Sequence, residues 1–91
     1  MVPGQIVFSK AGRDKKKPYI VMSSDDNYAF LADGRVRPFD KQKKKKLKHI
    51  QPTNTIIQKI KNRLEDNLII CDTEIMKALE PYYHKEGHKE G

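Results

Sequence analysis

Hydrophobic and polar positions alternate with a period of two over the first half of the chain, then shift to a helical period. Gln5-Ile-Val-Phe-Ser9 reads as a strand, with Ile6 and Phe8 on one face and Val7 on the other. Tyr19-Ile-Val-Met22 is a second strand, rich in β-branched and aromatic residues, with Pro18 suited to its first position or to a sheet edge. Ser23–Asn27 is a turn cluster, and Tyr28–Ala32 is a third strand. Asp33-Gly34 signals a tight hairpin turn. It leads to a fourth strand, Arg35–Phe39, with Val36 inward and Arg35 and Arg37 outward. Leu47–Ile50 suggests a short fifth strand, closed by Pro52.

After Pro52 the apolar residues Ile56, Ile57, Ile60 and Leu64 fall on one helical face. This predicts a helix over 55–65, capped by Thr53 or Asn54 and ended at Asn67. Leu68–Cys71 is a short apolar connection expected to be buried, with Cys71 a buried thiol. A second helix begins at Asp72 or Thr73, turns Ile75, Met76 and Leu79 inward, and ends at Pro81. The tail 82–91 contains His-Lys-Glu-Gly twice and is expected to be disordered. His84 and His88 have a helical metal-ligand spacing, but the flanking glycines argue for a plain tail without metal.

The expected fold is therefore mainly β with C-terminal α. It consists of a small five-stranded barrel over 1–52, a helical extension packed on it over 53–81, and a tail over 82–91. The 91 residues suit one domain, and an apolar fraction of 36% against 34% charged leaves a small core.

Charge sharpens this picture. From Lys10 to Lys48 the chain carries 13 lysines and arginines against five aspartates, a net +8, whereas the remainder from His49 is near neutral at −1. The cations concentrate in Lys10–Lys17 and Lys41–Lys48, two segments expected to be loops that meet at one end of the barrel. Such density repels itself unless a polyanion lies between, and paired basic segments on one scaffold are the footprint of a nucleic-acid binder. The expected contacts are Lys10, Gly12, Arg13, Lys15, Lys16 and Lys17 from the first segment. Lys43, Lys44, Lys45, Lys46, Lys48 and His49 come from the second, with Arg35 and Arg37 between them. In an extended segment only about half of Lys43–Lys46 can face a ligand at once. Phe8, Tyr19, Tyr28, Phe30 and Phe39 are expected mainly in the core, with one or two free to stack on a base.

Other classes find less support. A single Cys excludes an internal disulfide, no nucleophile–base arrangement or phosphate-cradling glycine pattern is present, and no cofactor is implied. No stretch is apolar enough to span a bilayer, and the start Met-Val-Pro-Gly has no apolar leader, so a cytoplasmic monomer without membrane contact is expected.

Gly4-Gln-Ile-Val-Phe-Ser-Lys-Ala-Gly-Arg-Asp-Lys15 with Tyr19-Ile-Val21 resembles a KOW motif. Leu31-Ala-Asp-Gly34, Lys43–Lys46 and Lys48-His-Ile50 continue the likeness, which covers about residues 4–52. The chain is similar to the short bacterial KOW-domain RNA-binding proteins, themselves similar to a KOW-type large-subunit ribosomal protein of archaea and eukaryotes. The resemblance implies an SH3-like β-barrel that binds structured RNA, ribosomal RNA in particular, near ribosomal proteins and the translation machinery. It carries a binding role over to Lys10, Gly12, Arg13 and Lys15. One departure is Lys16, where KOW motifs often have glycine; a Cβ is costly wherever φ is positive. The alternative expectation is a protein-interaction module, because SH3-like barrels also contact peptides and polymerase subunits.

Overall fold

The computed structural model describes residues 1–88, with side chains described through residue 83. Five strands form one antiparallel sheet: β1 (Gln5–Ser9), β2 (Pro18–Ser24), β3 (Tyr28–Ala32), β4 (Lys43–Lys46) and β5 (Ile50–Ile56), in the order β4-β3-β2-β1-β5. Two helices follow, α1 (Gln58–Glu65) and α2 (Asp72–His88). β1 and β3 lie where the alternation places them. β2 starts one residue earlier than its apolar run, at Pro18, and continues through Ser24.

The sheet is not closed by a β4–β5 ladder, but its edges are brought together. A single 3-10 turn, Leu47–His49, joins the two edge strands. Its first amide, Leu47, donates to the Asn27 carbonyl in the β2–β3 turn (2.9 Å), and its last carbonyl, His49, accepts from the Lys10 amide (2.8 Å) at the end of β1. Those two anchors lie at opposite ends of the sheet. Three residues span them only if the sheet curls strongly.

Both faces of the sheet carry apolar cores. The concave side packs Val7, Tyr19, Val21, Ala29, Leu31 and Ile50, with Leu47 against them. The convex side packs Ile6, Ile20, Met22 and Ala32 against Ile60, Ile70, Ile75 and Leu79 from the helical half. Consecutive residues such as Ile6 and Val7 therefore serve different cores, as a strand with side chains on alternate faces requires. Arg63 on α1 pairs with Glu74 on α2 and ties the helices together.

Several expectations are corrected. Arg35–Phe39 is not a strand. Asp33 and Gly34 amides donate to the Arg37 carbonyl, and Asp33 Oδ1 accepts from the Arg35 and Arg37 amides at 2.8 Å each. Those donors are consumed by the turn, Pro38 has none, and Val36 points into solvent. Phe39–Lys41 then forms a 3-10 turn. The fourth strand is the lysine run itself, β4. Leu47–His49 is a turn, and β5 runs through Pro52, which its edge position tolerates. Helix α1 consequently starts only at Gln58, with no side-chain cap from Thr53 or Asn54. Asn67 does end it, in a left-handed conformation (φ 60°).

In the connection between the helices only Ile70 is buried; Leu68, Ile69 and Cys71 are exposed. An extended segment cannot turn every side chain inward. Helix α2 passes through Pro81 to His88. The proline removes one hydrogen bond, but Tyr82 and Tyr83 just beyond it pack on the convex core, and the Tyr82 ring lies 6.1 Å from Phe8. That burial carries the helix past the expected stop and into the tail expected to be disordered. The side chains of His84 and His88 and residues 89–91 lie outside the described residues.

Candidate nucleic-acid interface

The loop joining β1 to β2, residues 10–17, is built around Asp14. Its carboxylate accepts from Ser9 Oγ (2.8 Å) and Tyr19 Oη (2.7 Å). From β4, Lys45 Nζ donates to Asp14 Oδ1 (3.1 Å) and to the Ala11 carbonyl (3.1 Å), and Lys43 Nζ lies 3.3 Å from Asp14 Oδ2. Burial opposes ionisation of Asp14. The hydrogen bonds from Tyr19, Ser9, Lys45 and Lys43 outweigh it and hold the carboxyl well below the usual carboxylate range. Burial, reinforced by the hydrogen bond to Asp14, pushes the Tyr19 phenol above its ordinary value.

The loop also needs two residues at positive φ, Gly12 (86°) and Lys16 (74°). Lys16 donates its amide to the Ser9 carbonyl (2.7 Å) while Ser9 donates to the Lys17 carbonyl (3.0 Å). This is a bulge that returns the loop to the β1–β2 ladder, and such a bulge favours glycine. The loop thus adopts a left-handed turn at Lys16 despite its Cβ, which costs about 1–2 kcal/mol. In exchange the loop presents one more exposed ammonium.

Asp33 organises the turn that carries Arg35 and Arg37. It is fully buried, and Lys17 Nζ lies 2.6 Å from its Oδ2. Burial again opposes ionisation, and Lys17 with the Arg35 and Arg37 amides overcomes it, so this carboxyl too sits below its ordinary value. Gly34 (φ 81°) lies so close to α2 that a Cβ there would meet the Asp72 carbonyl at 2.5 Å. Asp72 Oδ1 also accepts from the Phe39 amide (2.7 Å), which docks the turn on the start of α2.

The candidate residues therefore divide. Lys17, Lys43 and Lys45 are held by Asp33 and Asp14. Lys10, Arg13, Lys15, Lys16, Lys44, Lys46 and Lys48 are exposed, and among the described residues none has a carboxylate at ion-pair distance. The alternation expected along Lys43–Lys46 is present: Lys43 and Lys45 turn towards Asp14, Lys44 and Lys46 outward.

The exposed set forms a belt. Lys10, Lys15 and Lys16 rim a cavity of about 390 Å³ with Phe8, Ser9 and Gln51. The Lys10 amide reaches His49, the half-buried neighbour of Lys48. Lys48 and Lys46 then line a second cavity, about 470 Å³, with Asp26, Asn27, Tyr28 and Leu47. Lys44 follows, its ammonium 4.4 Å from the Tyr28 ring centroid. Arg35 stands apart, lining a cavity of about 380 Å³ with Lys17, Glu80 and Tyr83 on the α2 side. Arg37 is half-buried. The two arginines are placed by the Asp33 turn, not by a strand between the basic segments.

Sequence reasoning missed Asp14 and Asp33 as organisers. Asp14 gave one signal, as the lone carboxylate within Lys10–Lys17; Asp33 gave only the turn signal of Asp33-Gly34. Among the described residues, no helix is long and apolar enough to cross a membrane, and no three His, Cys, Asp or Glu side chains gather as a metal site would require. Compared with models of known protein families the chain matches none, and compared with curated proteins it matches none.

Proposed function

We propose that this protein is a non-catalytic RNA-binding module of the SH3-like barrel type, acting in the cytoplasm on or near the ribosome. The observation that carries the reading is the belt of seven exposed cations without carboxylate partners, running from the β1–β2 loop through the Leu47–His49 turn to the outer face of β4. Mutual repulsion along such a belt is relieved by a polyanion, and a phosphate backbone supplies closely spaced negative charges. The resemblance of residues 4–52 to KOW-domain RNA-binding proteins favours structured RNA over DNA. The edge strands joined by one short turn are what a five-stranded barrel of that type needs. Lysines on an edge strand also discourage pairing with another chain. That role accounts for β4 but not for Lys10, Arg13, Lys15 and Lys16 on the loop.

The test is a set of binding titrations with a folded RNA at several salt concentrations. If about five phosphates are neutralised, log K falls with log salt at a slope of roughly −3.5 to −4.5. Arg13→Ala with Lys15→Ala makes the slope shallower, while Lys59→Ala with Lys61→Ala on α1 changes it much less. A flat salt dependence, or equal losses from both pairs, would replace this reading with a protein-interaction module. That second reading rests on a separate feature, a groove of about 350 Å³ lined by Met22, Phe39, Leu64, Leu68 and Ile69.

A further inference from the structure

The convex face of the sheet is covered by the helices over β1, β2 and the Ala32 end of β3, but Tyr28 and Phe30 of β3 and the whole of β4 lie outside that cluster. Tyr28 and Phe30 alternate with the core residues Ala29 and Leu31 along β3, and both are half-buried and lie outside the two core clusters. Across the ladder Tyr28 pairs with Lys46 and Phe30 with Lys44. Two aromatic rings thus share an open strip with two outward lysines. Tyr28 also forms a wall of the 470 Å³ cavity, with Leu47 as a second apolar wall.

The rest of that cavity selects the chemistry of its occupant. Lys46 and Lys48 stand at it as cations, while Asp26 and Asn27 add polar edges. A phosphate inside would face the Asp26 carboxylate and be repelled. A nucleobase would not: its flat apolar face suits the Tyr28 and Leu47 walls, and its amino or imino N–H groups suit acceptors such as Asp26 and the Asn27 carboxamide. Its own phosphates would then fall to the lysines outside. The site is preformed. Asp25 Oδ1 accepts from the Asn27 and Tyr28 amides (2.9 and 2.8 Å), and the Leu47 amide holds the Asn27 carbonyl. The Lys44 ammonium over the Tyr28 ring makes a contact that is weak at an exposed site and readily exchanged for a phosphate.

We infer that this cavity receives an unpaired nucleobase stacked on Tyr28, so that the RNA ligand carries a loop or bulge. The inference rests on the RNA-binding reading and adds a base subsite to its phosphate belt.

The test compares a short hairpin RNA with the same hairpin whose loop bases are removed, leaving the ribose–phosphate chain intact. Wild-type protein should bind the base-free loop about 10-fold more weakly. The salt slope should stay the same for both, because the phosphates are unchanged. Tyr28→Leu should bind both hairpins alike, and Tyr28→Phe should restore the preference. Equal binding of both hairpins by the wild type with a steep salt slope would overturn the base subsite and leave the RNA reading standing. Retention of the preference in a folded Tyr28→Leu would also overturn it. Failure of either hairpin to show salt-dependent binding would overturn both. The wild-type comparison uses no variant and so does not depend on any mutant folding.

Discussion

Two aspartates, Asp14 and Asp33, organise the basic half of the chain, and they are used differently. Asp33 is sealed from solvent and gives most of its hydrogen-bonding capacity to backbone amides of its own turn, with Lys17 as its counter-ion. Asp14 is partly accessible and bonds only side chains, from β1, β2 and β4. Asp33 thus shapes a turn, whereas Asp14 latches a loop to a strand across the curl of the sheet. The contrast shows how a protein rich in lysine sorts its cations. Those paired with Asp14 or Asp33 become structure, and the others remain available to a ligand. Lysine number alone does not reveal the sorting; β4 contributes two residues to each group.

The largest effect is expected where the Asp33 turn meets α2. Gly34→Ala combines a strained positive φ with a Cβ against the Asp72 carbonyl. It should cost about 3 kcal/mol or more, read as a lower denaturant midpoint at unchanged m-value. Asp33→Ala removes the acceptor of two amides and the partner of Lys17, and should cost about 2–4 kcal/mol by the same measurement. A loss under 1 kcal/mol would show that the turn does not depend on its carboxylate.

Asp14→Ala should cost about 2–3 kcal/mol, chiefly because the buried Tyr19 hydroxyl loses its acceptor. The pH dependence follows with a definite sign. Both carboxyls titrate below the unfolded aspartate value of about 3.9. The stability they contribute is therefore present above that pH and lost as pH falls towards their folded values. Denaturant midpoints should drop on acidification below about pH 4. The drop should be smaller in Asp14→Asn, and an unchanged acid limb would refute the latch.

The two faces of β4 give the sharpest functional contrast. Lys44→Ala with Lys46→Ala should make the salt slope of RNA binding shallower by about 1–2 and leave stability within about 0.5 kcal/mol. Lys43→Ala with Lys45→Ala should do the reverse, lowering stability with a smaller direct effect on the slope. Equal behaviour of the two pairs would erase the division between structural and available lysines. The smallest effect is expected at Lys16→Gly, which relieves a left-handed residue and should raise stability by about 0.5–1 kcal/mol while slightly weakening RNA binding.

The sequence by itself determined the β-to-α order, strands β1 and β3, the body of β2, the apolar face of α1, its end at Asn67, and the inward set Ile75 and Leu79 of α2. Each of these depends on a local period or a local backbone preference, which neighbouring residues encode. It also located the cations. Only the tertiary structure decided which segment after Asp33 would be a strand. A buried carboxylate captured the amides of Arg35 and Arg37, and the lysine run, with no apolar alternation to announce it, took the edge beside β3. Likewise, Pro52 was accommodated because β5 lies at an edge, and Pro81 because Tyr82 and Tyr83 found a core to bury in. The division of the lysines was beyond local reading for the same reason. Asp14 lies 29 and 31 residues from Lys43 and Lys45, and only the curl of the sheet brings their charges within reach.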